Sequence, residues 1–138
     1  MNYGKSIELN DTFASAVPKV KAAFQEQGFG TLTEIDVQAT LKAKIDRDIE
    51  PYLILGTCNP NLASRALDIE REIGLLLPCN VVVTERGGRT LVHALDPQVM
   101  VSLPENDQLQ EVADDAAERI GKALAALEAG DGRNPTEG

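Results

Sequence analysis

The chain has 138 residues, the length of one ordinary domain, and this length builds a core without help from a metal ion or a disulfide. It carries 22 acidic and 13 basic residues, and the net charge of -9 repels a phosphate backbone unless a basic surface overcomes it. The most basic stretch, residues 41–50, interleaves lysine and arginine with aspartate and glutamate, so we expect neither nucleic acid nor an anionic membrane as a partner.

The first ten residues lack the continuous apolar segment of a secretory signal, and no run approaches the roughly 20 apolar residues of a membrane-spanning helix. We therefore expect a cytoplasmic protein. Cysteines stay as thiols in a reducing compartment, so a disulfide between Cys58 and Cys79 is not expected.

The N-terminal segment predicts a strand followed by a helix. Residues 4–9 form the strand, which ends at an Asn-Asp turn. Apolar residues then recur at helical spacing until Gly28, a good helix stop. Pro18 interrupts this pattern. Either the helix bends there, or Ser15 caps it and Pro18 lies in its first turn, where a missing N–H costs little.

Two further strands follow the first helix. Residues 29–37 alternate in a way that predicts a strand with one apolar face. Residues 38–45 predict a short helical turn, and residues 52–56 are an apolar run that predicts a strand covered on both faces.

The next helix is predicted from its ends. Asn59 is a preferred cap, Pro60 suits the first helical position, and Gly74 marks the end. Cys58 then lies just outside the helix N-terminus, where free backbone N–H groups can lower the pKa of a thiol.

Residues 80–95 predict a β-hairpin, with two strands joined by a two-residue turn at Gly87–Gly88. If Arg86 is opposite Arg89, then counting along the two strands places every pair, and opposed residues share a face of the sheet. In this register Cys79 and His93 lie on opposite faces.

The C-terminal part predicts a long amphipathic helix over residues 107–129. Residues 131–138 are polar, and we expect them to be a disordered tail. No linker interrupts the chain before them, so residues 1–130 are predicted to form one domain.

Four blocks of this sequence, in this order, resemble the domain-of-unknown-function family 302: "GFGTLTEIDVQATLKAKI", "YLILGTCNPNLASRAL", "GLLLPCNVVVTE" and "DPQVM". The resemblance runs from about Thr12 to Met100 and includes the C-terminal helix. It implies a single compact α+β domain, related in shape to TATA-binding-protein-like folds, with helices packed on a mainly antiparallel sheet. The predicted strands make that sheet about five-stranded. The resemblance also implies a homodimer, but no reaction and no catalytic residues.

The two cysteines allow two interpretations. Cys58 is a candidate nucleophile activated by the helix end, with Cys79 as the assisting thiol. The favoured interpretation is that both are small buried apolar residues at strand ends, as free cysteines often are. Their spacing is not that of a CxxC motif, so the sequence leaves their proximity open. Asn59 and Asn80, which follow the two cysteines, are candidate ligand-binding residues together with them.

Other chemistries have weaker support. His93 is the only histidine, and the hairpin register separates it from Cys79, so no zinc site or other metal site is predicted. Two-coordinate Cu(I) stays open, because thiolates alone can hold it. The sequence lacks GxSxG and phosphate-binding glycine motifs, and no cofactor is predicted.

Two functional hypotheses follow, and whether the protein is an enzyme is undecided between them. The first is a noncatalytic homodimeric module that binds a partner or a small apolar ligand in a groove between the sheet and the long helix. The same surface is alternatively the dimer contact, with Val99, Met100 and Leu103 as candidates. The second is a thiol-dependent redox or sulfur-handling protein that uses Cys58 with Cys79.

Overall fold

Five strands form one antiparallel sheet in the computed structural model, which describes residues 3–131. In chain order the strands are β1 (Gly4–Leu9), β2 (Gly30–Asp36), β3 (Tyr52–Cys58), β4 (Cys79–Arg86) and β5 (Arg89–Leu95). Their order across the sheet is β1-β5-β4-β3-β2, and all four neighbouring pairs are antiparallel. The predicted α+β fold with an antiparallel sheet of about five strands is confirmed.

Helices join these strands and follow the last of them. They are α1 (Phe13–Glu26), α2 (Val37–Ile45), α3 (Pro60–Ile69), the single turn α4 (Val99–Ser102) and the long α5 (Gln110–Ala129). Two 3₁₀ turns, Arg71–Leu76 and Asp107–Leu109, precede β4 and α5. The predicted long C-terminal helix is thus confirmed, with its first turn tightened to 3₁₀ geometry.

The hairpin of β4 and β5 has the predicted register. Arg86 is opposite Arg89, and Val82 is opposite His93. Gly87 and Gly88 have φ angles of 59° and 78°, the left-handed values that a tight two-residue hairpin turn requires.

The core lies between one face of the sheet and the helices α1, α3 and α5. Buried residues alternate along the strands, as the period of two requires: Leu55, Val81, Val83, Val92 and Ala94. The predicted apolar stripe of the C-terminal helix is buried throughout: Leu109, Val112, Ala113, Ala116, Ile120, Ala123, Leu124 and Leu127. Each large aliphatic side chain buried in this way contributes roughly 1.5–3 kcal/mol.

Helix α1 begins earlier than it would if Ser15 were its cap. Thr12 is its cap, with its Oγ1 accepting a hydrogen bond of 3.1 Å from the backbone N–H of Ser15, so Ser15 as the cap is wrong. Pro18 therefore lies inside the helix. Because Pro18 and Ala14 are both exposed, water can bond the Ala14 carbonyl that lacks a helical donor.

Helix α3 ends before Gly74, so that predicted end is wrong. Its last residue is Ile69, because Glu70 has the extended angles φ -139° and ψ 103°. The chain then turns through the 3₁₀ segment, which brings Ile73 into the core at 1% exposure. The local pattern indicates a helix that continues to Gly74, but burial of Ile73 in the core favours the 3₁₀ turn instead.

Strand β2 lies at an edge of the sheet, and of its predicted apolar face only Phe29, just before the strand, is buried. A register shift between Thr31 and Thr33 interrupts the alternation, and Leu32 and Ile35 are exposed. Strand β3 is covered on both faces only near its C-terminal end, since Tyr52 is exposed.

The predicted dimer patch is mostly internal. Val99 and Met100 are buried in the turn α4 at 8% and 3% exposure, so these two cannot contact a second copy. Leu103 is 60% exposed and remains available.

The predicted disordered tail lies outside the described residues except for its first member. Asp131 is buried, and its carboxylate accepts a hydrogen bond of 2.8 Å from the backbone N–H of Asn10. Between residues 3 and 131, no helix combines the length and apolarity needed to cross a membrane.

Two glycines provide a matched test of the packing. A Cβ atom at Gly56 would lie 2.2 Å from Thr33 Oγ1 and 3.0 Å from Pro78 Cγ, whereas one at Gly121 would have no neighbour within 4 Å. Gly56→Ala should lower the free energy of unfolding by about 1–3 kcal/mol through overpacking. Gly121→Ala in α5 should raise it by about 0.5–1 kcal/mol, because alanine is the better helix former. Urea unfolding measures both values, and a Gly56→Ala protein as stable as the parent would contradict the packing described.

Candidate functional site

The two cysteines come together where β3 ends and β4 begins. Cys58 is the last residue of β3, and Cys79 is the first residue of β4, directly opposite Thr57. Both thiols are free, and both residues line one small cavity of about 20 Å³. The proximity that the sequence left open is therefore supplied by antiparallel pairing of two strands.

The Cys79 thiol is held in its neutral form. Burial raises its pKa to about 11, and the neighbouring Cys58 contributes through repulsion between the two thiolates. Only the thiolate is a nucleophile, so Cys79 is a poor nucleophile at neutral pH.

The start of helix α3 has the predicted form. Asn59 is the cap, with its Oδ1 accepting a bond of 3.3 Å from the Leu62 N–H, and Pro60 occupies the first helical position. The backbone carbonyl of Asn59 accepts the Ala63 N–H at 2.9 Å. Pro60 has no N–H, so most of the amides that would activate Cys58 are engaged or absent.

The structure brings together three of the four predicted ligand-binding residues. Cys58, Asn59 and Cys79 line the cavity, whereas Asn80 is exposed and lies opposite Gly56 on the other face of the sheet. The Asn59 amide is already engaged, since its Nδ2 donates to the Gln27 carbonyl at 3.5 Å. A volume of about 20 Å³ admits a single water or ion, far below the roughly 300–1,000 Å³ of an organic-ligand pocket.

Among residues 3–131, no group of three or more His, Cys, Asp or Glu side chains is placed so that it could hold a metal ion. His93 lies on the sheet face away from the cavity, where Cys79 does not reach it. A zinc site of nitrogen and sulfur ligands therefore has no geometric basis in the described part of the chain.

A larger site lies on the opposite face of the sheet. There the strands and the segment before β3 enclose an open groove of about 720 Å³, within the usual range for small-molecule sites. Its floor consists of two cross-strand rows in which no side chain is buried: Ser6, His93 and Val82 in one, and Leu91, Thr84 and Tyr52 in the other. Tyr3 and residues 49–51 form part of its wall.

The groove also has polar groups, and they include the carboxylates of Glu50 and Glu85. Ser6 Oγ and His93 Nδ1 share a hydrogen bond of 2.6 Å, which orients the imidazole. Arg86 also lines the groove and has no ion-pair partner among the described residues. Arg89, by contrast, is paired with Glu8 at 2.5 Å.

The sequence contained one signal for this groove. The hairpin register placed His93 beside Val82 on the face away from Cys79, and the structure confirms that placement. No sequence signal placed Ser6 beside His93, because these two residues are 87 positions apart and meet only through the pairing of β1 with β5.

The fold and most of the sequence match a known family. The family model for the domain of unknown function DUF302 matches residues 5–127. No curated protein matches the chain. The chain is also similar to an uncharacterized conserved protein DUF302 from Bacillus stearothermophilus, whose crystal structure is known. The two are 26% identical, the match covers 91% of this chain and 98% of the other, and the TM-score is 0.84. Because the family model spans most of the chain, the protein belongs to the DUF302 family, as its sequence blocks had indicated.

Proposed function

We propose that this protein is a noncatalytic binding module that holds a small, largely apolar ligand in the groove on the open face of its sheet. The observation that carries the proposal is the groove volume of about 720 Å³ on a face that helices α1, α3 and α5 leave uncovered. Sites of this size bury most of a drug-sized molecule. The thiol cavity is too small for such a ligand.

The lining of the groove indicates the character of the ligand. Tyr52, Val82 and Leu91 offer apolar contact across neighbouring strands, and aromatic and aliphatic side chains favour flat apolar molecules. His93 and Arg86 supply hydrogen-bond donors at the edge of this surface. Glu50 and Glu85 line the same groove and offset the charge of Arg86, so the best fit is an apolar body that carries one hydrogen-bond acceptor.

The dye 8-anilino-1-naphthalenesulfonate has this character and tests the groove by its fluorescence. Leu91→Glu should weaken dye binding by about tenfold or more, because it removes apolar contact and adds a charge that repels the sulfonate. Ile35→Glu is the matched control, since Ile35 is on the same face but outside the groove. Equal dye binding by Leu91→Glu and the parent protein would overturn the proposed site, provided circular dichroism shows both folded.

A homodimer is also part of the proposal. Leu75 and Leu103 are 86% and 60% exposed, and both border a hollow of about 380 Å³ with Leu76 and Pro104. Grouped exposed leucines are typical of protein contact surfaces. Leu103 is the one member of the predicted dimer patch that is still exposed.

Light scattering coupled to gel filtration measures this association. The parent protein should have twice the mass of one chain, and the double variant Leu75→Lys/Leu103→Lys should have the mass of one chain, because two charges cannot be buried in an apolar contact. The control is Leu32→Lys/Ile45→Lys, which changes two exposed apolar residues elsewhere. A dimer that only the control dissociates would disprove the proposed contact, and a monomeric parent would disprove the dimer.

A cytoplasmic location completes the proposal, since free thiols persist in a reducing compartment. The thiol-dependent redox alternative has less support, because burial keeps Cys79 protonated. A binding module has no need of reactive cysteines. Both thiols should therefore react slowly.

Alkylation with iodoacetamide, followed for each cysteine by mass spectrometry, distinguishes the two functions. Since the pKa of Cys79 rises from 9.0 to about 11, its thiolate fraction below pH 9 falls about hundredfold. Cys79 should be alkylated about a hundredfold more slowly in the folded protein than in urea, and its rate should rise with pH up to about pH 11. Cys58 labelled at pH 6 faster than a free model thiol, in a reaction that Cys58→Ser abolishes, would favour the redox alternative instead.

A further inference from the structure

Three sulfur-containing residues line the small cavity at the end of β3. Cys58 and Cys79 arrive from adjacent strands, and Met100 arrives from the buried turn α4. Cys79 and Met100 are 8% and 3% exposed, whereas Cys58 is partly open to solvent. The fold thus places two cysteines and a methionine around one cavity, which is open to solvent at Cys58.

The rest of the cavity wall provides no competing ligand. Most of it is apolar, including Phe29, Leu62 and Val112. The Thr57 hydroxyl donates to the Cys79 carbonyl at 2.8 Å, and the Asn59 amide is used in the helix cap. Sulfur atoms are therefore the available donors in a space of about 20 Å³, enough for one ion.

We propose that this cavity is a Cu(I) site in which the sulfurs of Cys58 and Cys79 hold the metal as thiolates and the thioether of Met100 completes the coordination. Thiolates and thioethers are soft ligands and select Cu(I), and Cu(I) accepts two or three ligands. Binding replaces two S–H bonds with two S–Cu bonds and releases two protons, and the metal stays in the +1 state throughout. The hard cations Mg²⁺ and Ca²⁺ require oxygen donors, which the cavity does not present.

The experiment is an anaerobic titration of the reduced full-length protein with Cu(I), in competition with the chelator bathocuproine disulfonate. We expect one Cu(I) per chain, with ultraviolet absorption from thiolate-to-copper charge transfer. Cys58→Ser and Cys79→Ser should each weaken binding by about a hundredfold or more, because each removes a thiolate. Met100→Leu keeps the volume of the side chain and should weaken binding by about tenfold.

Two measurements on the parent protein keep the test independent of the variants. One equivalent of Cu(I) should raise the midpoint of thermal unfolding, since a metal that binds the folded chain stabilises it. The folded chain should also bind more tightly than the chain in urea. An unchanged midpoint, or equal binding in urea, would overturn the proposal.

The stoichiometry and the Met100 variant test the geometry. Half a Cu(I) per chain would mean that the metal bridges two copies, which contradicts a site within one chain. Unchanged affinity in Met100→Leu would show that the thioether is not a ligand, and the three-sulfur site would be wrong. Because the dye-binding groove lies on the other face, failure here leaves the proposed function untouched.

Discussion

Successive residues of a β-strand point to opposite faces of the sheet, and helices α1, α3 and α5 cover only one of these faces. Every property of the two candidate sites follows from this one-sided burial. Along β4, Cys79, Val81 and Val83 lie in the core, where water is excluded and the Cys79 thiol is kept protonated. Val82 and His93, which pair on the other face, line the groove, where His93 stays accessible to a ligand.

The meeting of β3 and β4 concentrates the chemistry of the core side. At this end of the strands the chain passes from β3 into helix α3, so a strand end, a helix cap and the start of a neighbouring strand occupy the same small region. The Asn59 side chain satisfies the helix end, and the Thr57 hydroxyl satisfies a nearby carbonyl. With the polar groups paired, the sulfur atoms are the groups whose bonding capacity is unused.

The groove side has the opposite character. Its rows combine apolar side chains with a histidine oriented by Ser6, so shape and a few directed polar groups define the site. The exposed leucines near α4 lie elsewhere, so a dimer formed there leaves the groove accessible.

The sequence by itself determined the elements whose signals are local: the hairpin register follows from the Gly87–Gly88 turn, and the start of α3 from Asn59 and Pro60. Helical spacing likewise predicted the buried stripe of α5 in full. Only the tertiary structure decided the end of α3, where burial of Ile73 outweighs the glycine stop, and the exposure of β2 at the sheet edge. It also decided both sites, since Cys58 meets Cys79 and Ser6 meets His93 through pairing between strands distant in the chain. Local patterns specify turns and periodicity, whereas such long-range pairings depend on how the whole sheet assembles.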